Sequence, residues 1–436
     1  MYMNMKDYRS LFMGLEEYVP VKSGKYVVGI NFDNAATTPP FKSVIDNIAE
    51  FSGWYSSIHR GKGYKSKLCD EFYEEARKTI LDFLDGSPEA YNIIYVKNTT
   101  EGINKLAYRL IDCREGVILS TRMEHHSNDL PWRGKCKVDY VEVDDSGRLS
   151  LEDLSSKLEK YKNNIKLFTF TGISNVTGIQ NDVNFIAELC HSYGCRVMVD
   201  GAQLIPHKKV KLKGNGRNDY IDYLVFSAHK MYAPFGLGII VVPKECFING
   251  EPEYKGGGTV KFVTDDEIIW DEPPHKEEAG TPNFFGIVAL LSAMKELSRI
   301  GMKNIEERER ILTEYFIREI RKIQDITIYG DNEYFKDRVG IISFNLNDFH
   351  HDIVSDLLAE EYGIQTRSGC FCAHPYVQRL LKMSKKDIEE YKNTPGAKRP
   401  GMVRVSLGLY NDREEIDYFL NALELINRRQ KSVRIF

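Results

Sequence analysis

Between Tyr91 and Val242 short apolar runs alternate with amphipathic stretches. The runs Ile93–Val96, Val117–Leu119, Val138–Val143, Leu167–Thr171, Arg196–Val199, Tyr223–Phe226 and Ile239–Val242 read as strands. Several are apolar at every position, as in a sheet covered on both faces. Helices are expected near Gly102–Leu110 and Val183–His191. Upstream, Phe41–Trp54 is amphipathic, and Ser66–Leu84 places Leu68, Phe72, Ile80 and Phe83 at helical spacing. Strands alternating with helices predict a mostly parallel α/β domain.

The flanks read differently. Residues 1–30 predict a short helix and an irregular lead-in, and residues 250–282 are loop-rich. A long helical region from Gly286 to about Ile323 leads to a smaller α+β part. Its expected strands are Val339–Leu346 and Val403–Leu407, and its helices include His351–Tyr362 and Arg413–Arg428. The division expected is a large α/β domain over 1–285 and a linking helix with a small domain over 286–436.

The 436 residues carry a net charge of -4, with both signs spread along the chain. No basic face for nucleic acid is implied, and no run reaches the length of a membrane span. Met1–Glu17 lacks the apolar core of a signal peptide. Six of the eight cysteines are scattered singly, which in a chain this large reads as reduced thiols. The cytoplasm is the expected compartment. Cys370 and Cys372 stand apart as a close pair.

Candidate chemistry gathers after strands, where open α/β sheets bind ligands. Ser227-Ala228-His229-Lys230 puts a lysine between two core strands, where it is either a turn lysine or an amine tuned for Schiff-base chemistry. Thr99 and Thr100 open a helix, as caps or as part of an anion site. His125-His126 lacks a third ligand at metal spacing, so no metal site is expected. Asn175 lies in a polar turn, and Asp200 and Gln203 follow another strand. Together these supply an anion site, a flat imidazole, an amide, an acid and a lysine. Pyridoxal phosphate needs that set.

Here the chain resembles the class V aminotransferase group of fold-type I pyridoxal-phosphate enzymes, and most of all the SufS-like cysteine desulfurases and selenocysteine lyases. The resemblance is carried by Asp33-Asn34-Ala35-Ala36-Thr37, His59-Arg60-Gly61, Thr99-Thr100-Glu101-Gly102, Glu124-His125-His126-Ser127-Asn128, Ser174-Asn175-Val176-Thr177-Gly178, Asp200-Gly201-Ala202-Gln203, Ser227-Ala228-His229-Lys230, Ala279-Gly280-Thr281-Pro282-Asn283 and Arg404-Val405-Ser406-Leu407. It implies that Lys230 bonds the cofactor aldehyde, Asp200 pairs with the ring nitrogen and Gln203 bonds the ring hydroxyl. His125 would stack on the ring and shuttle protons. Thr99, Thr100, Ser227 and His229 would hold the phosphate, with Thr281 reaching in from the second subunit of a homodimer. Asn175 would contact cofactor and substrate. Asn34, His59, Arg60, Arg367 and Arg404 would complete the substrate site.

By the same resemblance, Arg367-Ser368-Gly369-Cys370-Phe371-Cys372-Ala373 places Cys372 as the nucleophile that takes sulfur from L-cysteine, leaving alanine and a persulfide. Selenocysteine is the alternative substrate, and an acceptor protein would receive the sulfur. Cys370 departs from the family pattern and leaves open which thiol acts. A helical run, Tyr376–Tyr391, and the turn after it form an insertion over 376–400. Two other readings stand beside this one. One is a different class V enzyme, a C–S lyase, selenocysteine lyase or aminotransferase, without persulfide transfer. The other is a sulfur- or metal-binding carrier using Cys370, Cys372 and His374.

Overall fold

The structure is a computed structural model and describes residues 8–110, 116–330, 333, 335–347, 349–394 and 399–433. Its strands are β1 (Tyr18–Pro20), β2 (Tyr26–Val28), β3 (Ile30–Asn31), β4 (Tyr91–Val96), β5 (Val117–Thr121), β6 (Lys137–Val141), β7 (Ile165–Thr171), β8 (Val197–Asp200), β9 (Tyr223–Ser227), β10 (Gly238–Pro243), β11 (Val260–Val263), β12 (Ile268–Trp270), β13 (Ile326–Tyr329), β14 (Ile341–Leu346), β15 (Ile364–Gln365), β16 (Arg367–Gly369) and β17 (Met402–Ser406). Its helices are α1 (Lys42–Ser52), α2 (Tyr64–Phe83), α3 (Thr99–Leu110), α4 (Leu151–Lys160), α5 (Val183–Ser192), α6 (Phe284–Ile300), α7 (Met302–Ile320), α8 (His351–Tyr362), α9 (His374–Leu380), α10 (Lys385–Asn393) and α11 (Arg413–Val433).

All seven strands expected between Tyr91 and Val242 form, in one sheet ordered β4-β10-β9-β8-β7-β5-β6. From β9 to β6 the neighbours are parallel, while β10 runs antiparallel to both β4 and β9. Strands β8 and β9 in the middle of the sheet and β4 at its edge are buried from end to end. Their side chains join helices from both faces in two apolar clusters, one with Ile80 and Leu290, the other with Ile103 and Leu106. The reversal at β10 makes β9 and β10 a hairpin, and Lys230 sits in its connection.

A second sheet, β13-β14-β17-β16, is antiparallel throughout. Leu312 and Phe316 of α7, Val354 and Leu358 of α8 and Phe419 and Leu423 of α11 build its core. The N-terminal segment joins this side of the molecule: β3 pairs with β15, and Phe32 is fully buried in the second core. Helix α7 carries Ile305 in the first core and Leu312 in the second.

Four elements depart from the expected pattern. The lead-in contains the β1–β2 hairpin, too short for an alternation signal. Helix α4 forms, with Ser150 accepting from the Asp153 N–H. The loop-rich section holds the β11–β12 hairpin, whose Phe262 and Val263 are exposed. The single run expected over Tyr376–Tyr391 is two helices, because Ser384 and Asp387 form a capping box that starts α10 anew. Pro395 and Gly396, in the turn expected after it, lie outside the described residues, as does Cys113. The seven described cysteines are unpaired. Among the described residues no helix is long and apolar enough to cross a membrane.

Candidate active site

The carboxyl ends of the large sheet and the inner edge of the second sheet enclose a cavity of ≈ 360 Å³. Thr99, Thr100, His125, Asn175, Asp200, Gln203, Ser227, His229 and Lys230 line it from one side, and Arg367, Cys372 and Arg404 from the other.

Helix α3 opens at this cavity. Its cap is Asn98, whose Oδ1 accepts from the Glu101 N–H at 2.9 Å. The threonines are therefore free for other work. Thr99 is buried and gives its N–H to the Ser227 hydroxyl at 2.7 Å, with the two hydroxyls also 2.7 Å apart. The Thr100 and Ser127 hydroxyls pair at 2.7 Å at the mouth. Gly238 allows the lysine hairpin to come this close, since a Cβ there would stand 2.6 Å from the Asn98 backbone. The Thr100 and Ser127 hydroxyls at this helix N-terminus suit an anion.

Lys230 lies part-buried on a turn of 3-10 helix after β9. Among the described residues its amine has no hydrogen bond or ion pair. Burial pushes it down to about 8, with Arg404 adding to the shift and Asp200 opposing it. Asp200 ends β8, is 3% exposed, and accepts from the Ala202 N–H at 3.0 Å. Burial raises its pKa, which that hydrogen bond and Lys230 oppose. It forms no close ion pair among the described residues, so a buried carboxylate faces the cavity without a cation in contact. Gln203 donates to the Ala35 carbonyl at 2.7 Å.

His125 caps its own turn: its Nδ1 accepts from the Ser127 N–H at 3.1 Å. In the neutral ring the proton then sits on Nε2. Burial holds the ring neutral, pushing its pKa down to about 3, with Lys230 contributing. The neighbouring Glu124 fixes this turn from below. It accepts from Asn128 at 2.6 Å and the Thr171 N–H at 3.0 Å, and from the Thr121 hydroxyl. Burial pushes Glu124 up to about 8. His229 is likewise lowered, to about 4, by burial and by Lys230.

Two arginines close the far wall, and one carboxylate holds both. Asp33 Oδ1 takes the Arg404 Nη2 at 2.9 Å, and Oδ2 takes the Arg367 Nη2 at 2.8 Å. Arg404 is 2% exposed, gives its Nη1 to the Asn175 carbonyl at 2.9 Å, and lies 4.9 Å from the Phe371 ring centre. Its buried Nε has no hydrogen-bond partner. Burial pushes the guanidinium down to about 10, against Asp33.

The thiol loop is held from a distance in sequence. The Phe371 carbonyl accepts from the Asn175 side chain at 2.8 Å, and the Cys372 carbonyl from the His126 N–H at 2.6 Å. Phe371 and Cys372 both take left-handed φ values, 51° and 54°. Cys372 is exposed and lines the cavity. Cys370 does not line it; its Sγ–H donates to the Pro400 carbonyl at 3.2 Å, and burial raises its pKa.

Four expected residues are not brought to this cavity within one chain. The Asn34 amide donates to the Asn31 and Ser406 carbonyls, and its Oδ1 accepts from Tyr410, so it ties the N-terminal segment to the second sheet. His59 and Arg60 line a different hollow with Asp70, Glu74 and His275. Thr281 is exposed and outside the cavity. Cys370, Cys372 and His374 form no trio of clustered metal-ligand atoms; among the described residues only His350, His351 and Asp352 do. Asp33 and Glu124 stood in quoted motifs without a role. Their signal was a carboxylate set among small or apolar residues, which needs a partner once buried.

A family model, Aminotransferase class-V, matches residues 30–419. Cysteine desulfurases from Escherichia coli O8 and Shigella sonnei are each 33% identical over 408 residues, covering 91% of this chain and 93% of theirs. Among solved structures, a cysteine desulfurase from Thermococcus onnurineus superposes with a TM-score of 0.81 at 32% identity, covering 92% of this chain and 95% of that one. One from Escherichia coli, in an S-sulfonic acid form, gives 0.80 at 25% identity with 98% of each chain covered. The chain belongs to the aminotransferase class-V family, and these relatives, which match it along nearly its whole length, are cysteine desulfurases.

Proposed function

We propose that this protein is a pyridoxal-phosphate-dependent cysteine desulfurase that takes sulfur from L-cysteine onto Cys372 and leaves alanine. The observation that carries the reading is that an exposed thiol, a lysine lowered to about 8 and a buried arginine share one cavity. The residues fit the cofactor. Asp200 is a buried acid without a contacting cation, as a ring nitrogen would need. The N-terminus of α3, with Thr100, Ser127 and Ser227, offers donors for a phosphate. When bound, pyridoxal phosphate supplies an aldehyde for Lys230 and an electron sink for the substrate carbon.

The side chains then divide the work. Arg404 and Arg367 bind the substrate carboxylate, for which a guanidinium is the matching fork. Lys230, once released, removes the α-proton, because an amine lowered to about 8 is neutral in a useful fraction near neutral pH. His125 presents a neutral ring with its Nε2–H free to stack and to pass a proton. The Cys372 thiolate attacks the substrate sulfur. An S–S bond forms, the C–S bond breaks with its electron pair left on the β-carbon, and protonation there, with return of the α-proton from Lys230, yields alanine. The Cys372 persulfide passes sulfur to an acceptor protein. Selenocysteine fits the same chemistry.

We further propose a cytoplasmic homodimer in which the partner subunit's Thr281, the partner subunit's His59 and the partner subunit's Arg60 complete the site. Their positions outside their own chain's cavity support this. The deciding experiment is anaerobic incubation with L-cysteine, following alanine and sulfide together. Cys372→Ser should keep the yellow bound cofactor and lose sulfur release, while Cys370→Ser keeps both. Full sulfur release by Cys372→Ser overturns the assignment.

A further inference from the structure

Away from the cavity, at the start of α8, two histidines and an aspartate meet in an arrangement that the proposed reaction does not use. The His350 and His351 rings lie tilted against each other with centres 4.1 Å apart. Both Nε2 atoms meet the same oxygen, the Arg399 carbonyl, at 3.1 and 3.0 Å. A carbonyl only accepts, so each Nε2 carries its proton and, in a neutral ring, each Nδ1 keeps a lone pair. The weak 3.4 Å bond from the Asp352 N–H to the His350 Nδ1 agrees with that tautomer.

Those lone pairs gather on one carboxylate. The His351 Nδ1 stands 2.9 Å from Asp352 Oδ1, and the His350 Nδ1 stands 3.5 Å from Oδ2. Ligand atoms from all three residues lie within 4.8 Å of one another. His351 is 6% exposed, and its buried Nδ1 has no hydrogen-bond partner. A lone pair that close to a carboxylate oxygen is repulsive unless a proton or a metal cation joins them. In a tetrahedral zinc site, with bonds near 2 Å, ligand atoms stand about 3.3 Å apart, which matches these spacings. A backbone carbonyl taking the other ring N–H is the usual orienting contact of a metal-bound histidine. The cleft is closely fitted: a Cβ at Gly401 would come within 2.6 Å of both the His351 Nε2 and the Gly369 backbone.

We propose that His350, His351 and Asp352 bind a divalent cation of the zinc class through the two Nδ1 atoms and the carboxylate, with water completing the shell. The cation fastens the start of α8 to the Arg399–Pro400 segment that leads into β17. That segment also receives the Cys370 thiol, through the Pro400 carbonyl. The site thus steadies the far end of the insertion without entering the cavity. Its ligands are nitrogen and oxygen only, which separates it from any metal held by Cys372.

The test uses the full-length holoenzyme, cleared of metal with a chelator and then titrated with Zn²⁺ by equilibrium dialysis and with Co²⁺ by visible absorption. The expected result is one equivalent of either metal. The Co²⁺ form should show d–d bands without the near-ultraviolet charge transfer that a thiolate adds. Cys372→Ser should leave this binding intact, and His351→Ala should abolish it. Asp352→Asn, at an exposed side chain where folding is not at stake, should weaken it at least about tenfold. No bound equivalent, thiolate charge transfer, or affinity unchanged in both His351→Ala and Asp352→Asn would each overturn the site.

Discussion

The two walls of the cavity are built by different physics. The lysine wall stands on strand ends whose backbones are paired in the sheet ladder, so Lys230, Asp200 and His125 are positioned by their own neighbours. The thiol wall has no ladder beneath Cys372. Two consecutive non-glycine residues hold left-handed backbones there, at a cost of about 1–3 kcal/mol each. Contacts from Asn175 and His126, some two hundred residues away in sequence, keep them there. A cofactor demands a fixed seat. The Cys372 thiol instead sits exposed on a loop steadied at its carbonyls and at the buried Phe371 ring.

This contrast predicts separable losses. Lys230→Ala should erase both functions of its wall: the yellow cofactor absorbance shifts to that of non-covalently held cofactor, and turnover falls by at least roughly 10²–10⁴-fold from loss of the base alone. Alanine formation near the wild-type rate would break the distinction between the walls. Asp33→Asn comes next. It leaves two arginines at the seam with half their ion pairing, so kcat/KM for cysteine should fall roughly tenfold to a hundredfold while the absorbance spectrum stays put. A loss of cofactor instead would show that the seam supports the lysine wall.

The smallest effect concerns pH. In protein stripped of cofactor, capture of pyridoxal phosphate needs the neutral Lys230 amine. Burial lowers that amine to about 8, so the neutral form grows as pH rises and dominates above about 8. The capture rate should rise roughly eightfold from pH 7 to pH 8.5 and then level off. A midpoint near the ordinary lysine value of about 10.4 would mean that the amine is not desolvated.

The same contrast explains what the amino-acid pattern revealed. The seven strands of the large sheet were legible because each is a local apolar run, and the site residues after them were legible with them. At the start of α3 the pattern left Thr99 and Thr100 open between cap and anion site; Asn98 does the capping, which releases Thr99 to Ser227 across the β9–β10 hairpin. Asn34 was expected at the substrate, yet its three donor contacts and the Tyr410 hydroxyl consume it in tertiary structure. Such pairings link positions nearly four hundred residues apart, and no periodicity encodes them. The β1–β2 and β11–β12 hairpins escaped because strands of three or four residues carry too little alternation to stand out.

The Asp33 bridge also sets the charge that this wall of the pocket presents. Two guanidinium groups share one carboxylate, so the seam arrives with one positive charge to spare. A single carboxylate from an amino acid brings it to neutrality. The seam therefore offers an incoming amino acid one unbalanced cation, at the depth where Arg404 is buried.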